Sequence, residues 1–217
     1  MAKKILVACE ESQAVTMAFR ALGAEAFSCD IQECSGGHPE WHAQQNVLPM
    51  LQGNCSFKVL TGKEYTVETW DLIVAHPPCT YLSSAGNAWF SEEKYGEKAR
   101  ERKALREEAM EFFMSCINAS SMHICVENPL GYPCKAYGPA TQIIQPYMFG
   151  DAYRKRTLLW LKGLPILKPT EVLPLEMVDT YWYQLAWNYD AATRKRIRSK
   201  TFPGIAEAMA SQWLPII

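Results

Sequence analysis

Residues 71–83, Asp-Leu-Ile-Val-Ala-His-Pro-Pro-Cys-Thr-Tyr-Leu-Ser, constrain the fold more than any other part of the chain. Leu72, Ile73, Val74 and Ala75 are apolar without alternation, the pattern of a strand covered on both faces in a parallel sheet. Pro77 and Pro78 have no backbone N–H to give a ladder, so the strand must stop there. Ligands of open parallel sheets bind beyond the carboxyl ends of the strands, which puts Cys79 on the functional rim. The plainer alternative for Cys79 is a small apolar residue in a turn.

The rest of the chain fits the same architecture. Residues 4–9 read as a buried strand. Residues 12–22 read as a helix with Val15, Phe19 and Leu22 on one face, closed by Gly23, and residues 25–30 as a second strand. This βαβ unit implies a right-handed crossover and a nucleotide-type site after the first strand. The connecting loop, Cys9-Glu10-Glu11-Ser12-Gln13, is not a glycine fingerprint. Asp30 stands where an acidic side chain holds ribose hydroxyls, and serves equally as a turn former. Cys29, Cys34, His38 and His42 have the composition of a zinc site but no tight Cys-x-x-Cys hook, so hydrogen bonds that order the loop are the preferred reading and no metal is expected.

Residues 54–70 suggest a hairpin, and residues 92–120 carry the longest helical signal, charged at first and apolar from Met110. Residues 123–129 repeat the opening logic: an apolar strand, an acid at its end in Glu127, and a proline that stops it. Further strands are expected at 143–146 and 157–161, and a proline-rich surface connection at 164–175. The aromatic stretch 181–189 precedes the basic run 194–200, a mix that stacks bases beside phosphates. An aromatic helix face packed on the sheet is the preferred alternative. Residues 203–213 close the chain as a helix returning against the first strand.

With 217 residues, 48% of them apolar, the chain can bury one full core, and 1–217 is read as one domain. A net charge of −1 sets up no global field for nucleic acid or membrane, so basic surface is confined to residues 194–200. The opening apolar run is too short for a signal peptide, and no segment approaches a membrane span. The expectation is a soluble, cytoplasmic protein whose eight cysteines stay reduced.

In their order along the chain, Asp30, Pro-Pro-Cys79, Glu127-Asn-Pro, Arg154-Lys-Arg156 and the closing helix resemble the DNA cytosine-5 methyltransferases, most closely small phage- or prophage-type members, over most of residues 4–213. The resemblance implies a Rossmann-like α/β methyltransferase fold, a mostly parallel sheet flanked by helices, acting in a bacterial host cell if phage-encoded. It implies that Cys79 adds to carbon 6 of cytosine, that Glu127 holds N3 and the amino group, that Arg156 holds O2, and that Arg154 positions Cys79 or the backbone. It implies S-adenosylmethionine as cofactor, with Asp30 on the ribose, Ile31 and Asn46 at the adenine, and Cys9, Glu10, Glu11, Ser12, Gln13 and Pro77 around the remainder. Two departures stand out. Residues 10–13 replace a glycine-rich Phe-x-Gly-x-Gly-Gly loop, and only residues 162–201 stand where sequence-reading members carry a recognition region, too few for an independent core. The substrate implied is DNA that is single-stranded or read with little sequence preference, or read with help from a protein partner or a second copy. The alternatives are an enzyme acting on a free cytosine nucleotide and a non-catalytic nucleic-acid-binding protein that keeps the fold.

Overall fold

The computed structural model describes residues 2–180, 184 and 187–217. Tyr181, Trp182, Tyr183, Leu185 and Ala186 of the aromatic stretch lie outside the described residues, and with them most of the expectation placed there.

The chain opens with β1 (Lys4–Ala8), α1 (Ala14–Ala21), β2 (Glu25–Asp30) and β3 (His42–Gln44). A separate antiparallel hairpin, β4 (Cys55–Lys58) and β5 (Glu64–Val67), precedes β6 (Leu72–Ala75). Then come α2 (Glu92–Tyr95), α3 (Glu97–Ile117), β7 (Ile124–Pro129), α4 (Pro133–Ala136), β8 (Gln142–Ile144), β9 (Thr157–Lys162), α5 (Ala191–Ser199) and α6 (Pro203–Trp213). Seven strands form one sheet in the order β3-β2-β1-β6-β7-β9-β8. All pairings from β3 to β7 are parallel, and β9 runs antiparallel to both its neighbours. This is a mixed α/β architecture compatible with a Rossmann-like fold, a mostly parallel sheet between helical layers.

Both faces of the sheet are covered, which explains why the central strands are apolar without alternation. Leu6, Ala8, Phe27 and Ile73 face the hairpin and α3, where Met110, Phe113 and Cys116 complete one core. Ile5, Val7, Ala26, Leu72 and Val74 face the other way and pack with Val15 and Phe19 of α1 and with Ile205, Met209 and Trp213 of α6. The closing helix thus returns beneath the first strand, where the sequence places it.

Three expectations shift. The first helix begins at Ala14 because Gln13 adopts φ 60°, a left-handed conformation that cannot belong to the helix. The long helical stretch divides into α2 and α3 at Gly96, whose φ of 52° glycine takes without penalty. The proline-rich segment is clamped rather than loosely laid on the surface. Gln142 of β8 exchanges two hydrogen bonds with the backbone of Leu167 (2.7 and 2.8 Å), and Gln212 of α6 does the same with Lys168 (both 2.8 Å). Among the described residues no helix is long and apolar enough to cross a membrane.

Candidate active site

Strand order decides where the chemistry gathers. The chain winds outward from β1 through β2 to β3, then restarts on the other side of β1 with β6 and β7. Such a switch point opens a crevice at the carboxyl ends of the strands. A cleft of about 840 Å³ lies there. From the β1–β3 side it is lined by Cys9, Glu10, Glu11, Ser12, Asp30, Ile31 and Asn46, and from the β6–β7 side by His76, Pro77, Cys79, Glu127 and Asn128. The sulfur and the carboxylate expected to act together therefore share one hollow.

Of the eight cysteines, Cys79 is the exposed one. Cys29 and Cys116 are buried, and desolvation pushes their thiols up to about 12, beyond ordinary reactivity. Cys79 is also shifted upward, by desolvation first and then by the negative charge of Glu127; Lys155 and Arg198 pull it down without cancelling the rise. The thiol therefore rests largely protonated at neutral pH, and neutralising Glu127 would remove the second of the two causes that raise it. At Glu127, desolvation acts to raise the pKa, but a hydrogen bond from His76 and the charges of Lys155 and His76 outweigh it, holding the carboxyl below its ordinary range. The His76 Nδ1 to Glu127 Oε2 distance is 3.3 Å. His76 was not foreseen, although its place directly before the two prolines puts it on the same rim.

Arg154 and Arg156 do not line the cleft; Lys155 does. The reason is the alternation of an extended run, in which neighbouring side chains point to opposite sides: Arg154 and Arg156 are exposed while Lys155 between them is half-buried. Because β9 is reversed, its first residue Thr157 pairs with Pro129 at the carboxyl end of β7. That delivers Lys155 to the rim, and it is the cation that the Arg-Lys-Arg motif supplies to the site.

The loops carrying Cys79 and Glu127 are stitched together. Buried Asn128 donates from Nδ2 to the carbonyl of Pro77 at 2.8 Å, Tyr132 N donates to Leu82 O at 2.7 Å, and Ser84 N donates to Leu130 O at 2.9 Å. From α3, Arg106 lies 3.2 Å from the ring centroid of Phe90 and donates to Tyr81 O at 3.1 Å, while Arg102 donates to Thr80 O at 3.1 Å. These two arginines come from the charged run read as a solvated face; they fasten the segment after Cys79 to the long helix instead.

The first loop is built from side chains where glycines were expected. Cys9 and Gln13 both adopt φ 60°, so the chain makes left-handed turns without glycine, at a cost of about 1–2 kcal/mol each. Glu10 is buried and folds back onto the start of α1, accepting from Val15 N (2.6 Å), Thr16 N (3.2 Å) and Thr16 Oγ1 (2.7 Å). Its pKa is raised by desolvation against the pull of His76 and of these hydrogen bonds. Glu10→Ala strands three donors and is expected to lower stability by about 3 kcal/mol, read by chemical denaturation; a loss under ~1 kcal/mol would deny the cap its role. Gln13, placed in the cofactor set from sequence, is fully buried and outside the cleft. Its side chain is spent holding the 31–38 loop, donating to His38 O at 2.9 Å and accepting from His38 N at 3.0 Å.

Glu11 is 6% exposed, and both of its carboxylate oxygens lack a hydrogen-bond partner among the described residues. Ile31 stands 75% exposed at the cleft. Asp30 forms the turn weighed from sequence, accepting from Gln32 N at 2.9 Å, and Asn46 accepts from Leu48 N at 3.0 Å. Together these offer a carboxylate for hydroxyls, an apolar surface, an amide and a buried carboxyl group without a hydrogen-bond partner, a set suited to a nucleoside that carries a hydrogen-bond-donating group.

Cys29, Cys34, His38 and His42 are not gathered as ligands; among the described residues no three His, Cys, Asp or Glu side chains are grouped to hold a metal. His42 spends both ring nitrogens on Ser28 Oγ and Gln32 O (both 2.9 Å), and His38 stacks on Trp41 at 3.9 Å. Compared with known proteins, the chain matches no family model and no curated protein.

Proposed function

We propose that this protein is an S-adenosylmethionine-dependent methyltransferase acting on carbon 5 of cytosine in a polynucleotide, with Cys79 as nucleophile. The observation that carries the reading is the meeting of Cys79, Glu127 and Lys155 in one cleft at the sheet's switch point, where Glu127 raises and Lys155 lowers the pKa of Cys79 and Lys155 lowers that of Glu127.

Carbon 5 of cytosine is a poor nucleophile. Addition of the Cys79 sulfur to carbon 6 makes carbon 5 electron-rich, and expulsion of the sulfur after loss of the carbon 5 proton restores the ring. Glu127, ionised at neutral pH, accepts from the base's amino group and from N3 as that nitrogen gains a proton. This contact offsets part of the negative charge that, after desolvation, most raises the Cys79 thiol, so base binding moves the thiol toward the thiolate. Lys155 takes the place that the resemblance gave to arginine, beside both groups. S-adenosylmethionine, when bound, supplies an electrophilic methyl group. The residues fit it: Asp30 for the ribose, Ile31 and Asn46 for the adenine, and the unpartnered Glu11 for the cationic amino-acid end.

The test is covalent capture. An oligodeoxynucleotide containing 5-fluorocytosine, which cannot release its carbon 5 substituent as a proton, is expected to give a denaturant-stable adduct that needs the cofactor and vanishes in Cys79→Ser. Absence of any adduct while oligonucleotide and cofactor are both shown to bind overturns the proposal.

A further inference from the structure

The basic run forms the nine-residue helix α5, and α5 borders the same cleft. Arg194, Arg196 and Arg198 all line it, with Lys155 on the floor and Arg102 on the wall, five cations around one hollow in a chain whose net charge is −1. The Lys155 ammonium donates to the carbonyls of Arg198 (3.1 Å) and Lys200 (3.5 Å), so the carboxyl end of α5 is tied to a residue within electrostatic reach of Cys79 and Glu127. From the segment held by Arg102 and Arg106, Trp89 presents a 54% exposed indole to the cleft. Cations lining a groove with an exposed aromatic ring are the means by which proteins hold unpaired nucleic acid, phosphates on the charges and bases on the ring.

We propose that the substrate is taken as a single strand laid between Trp89 and α5, its phosphates on Arg194, Arg196 and Arg198 and a base on the indole. This rests on the reading of Cys79 as a cytosine-directed nucleophile and narrows it. A duplex requires its base to be unstacked and unpaired, at a cost of a few kcal/mol, and the vacated partner strand then needs support. In the segment that follows β9, residues 167 and 168 are committed to β8 and α6 through the two glutamine clamps and buried Leu167, which withdraws that stretch from such a duty. A free nucleotide is the opposite mismatch. A phosphate monoester carries roughly −2, whereas α5 sets three arginines along about 6 Å of helix axis and Lys155 and Arg102 add two more cations to the same cleft.

Fluorescence anisotropy with a labelled cytosine-containing 12-mer, its duplex, and deoxycytidine triphosphate as competitor separates the cases. The full-length protein is expected to bind the strand at least tenfold more tightly than the duplex, with equimolar triphosphate displacing none of it. Arg194→Ala/Arg198→Ala is expected to reduce the slope of log affinity against log salt by about 1.4, two phosphate contacts on a single strand. Trp89→Ala is expected to weaken strand binding by about tenfold without changing the salt slope, which distinguishes lost stacking from misfolding. Equal or tighter duplex binding, displacement by the nucleotide, or an unchanged salt slope in the double variant overturns the inference. Repeating the 5-fluorocytosine capture on both forms keeps the two readings apart: adduct on the duplex alone sinks the single-strand inference and leaves the methyltransferase reading, while strand binding without adduct does the reverse.

Discussion

Glu127→Gln is expected to slow methyl transfer by about 10²–10³-fold while making the Cys79 thiol more reactive toward iodoacetamide. The two effects have opposite signs because Glu127 acts on two partners. Toward the base, on the proposed function, it is an acceptor, and glutamine can serve only part of that role. Toward Cys79 it is a negative charge which, after desolvation, does most to hold the thiol up. Removing the charge lowers the thiol pKa, so the pH profile of alkylation shifts toward acid and the rate at pH 8 rises several-fold. Lys155→Ala is expected to move the profile the other way, since Lys155 lowers the Cys79 pKa. The wild-type profile should have its midpoint above the ordinary thiol range. If Glu127→Gln leaves that midpoint unmoved, sulfur and carboxylate are not electrostatically coupled and the shared-site account fails. Stability gives an independent reading. Glu127 titrates lower in the folded chain than in the unfolded one, so its contribution is complete above the unfolded carboxylate pKa and drains away as pH falls through the folded value. The glutamine variant lacks that acid-side loss.

Much of the fold is written in local pattern. Unalternated apolar runs at residues 72–75 and 124–126 read as strands buried on both faces, and prolines marked where the strands end. The rim position of Cys79 and Glu127 followed from those ends. What local pattern could not carry was the direction of side chains in irregular segments. Arg-Lys-Arg announced a cation near the site, but which of three residues turns inward depended on the reversed β9 and on its register with β7. At residues 10–13 side chains stand where the resemblance places a glycine-rich loop. Two of these side chains turn away into the fold: Glu10 back onto the start of α1, and Gln13 across to His38. Neither contact has a periodic signature. Arg102 and Arg106 were invisible for the same reason, being ordinary members of a charged helix until the aromatic segment after Cys79 folds against them.

That dependence of the site on the seam between two loops is tested most sharply at Gly131. It pairs with Ser83 across the seam, and a Cβ there would collide with the carbonyl oxygen of Leu82, with Leu82 C at 2.8 Å and Ser83 Cα at 2.9 Å. The obstructing atoms are backbone and Leu82 is fully buried, so no side chain can swing aside. Gly131→Ala must therefore push the segment after Cys79 away from the one after Glu127. The expected destabilisation is about 2–3 kcal/mol, seen as a fall in Tm on the order of 5 °C or more. The larger effect is on chemistry: displacing a nucleophile by about 1 Å costs on the order of 100-fold in rate, so kcat is expected to fall far beyond what the unfolded fraction explains. Ile205→Ala provides the control, since it opens a cavity of similar cost in the core beneath the opposite face of the sheet, touching neither loop. Below both transitions, Ile205→Ala is expected to turn over like the wild type and Gly131→Ala is not. Equal rates in the two would mean that the spacing of Cys79 and Glu127 is not set by this seam.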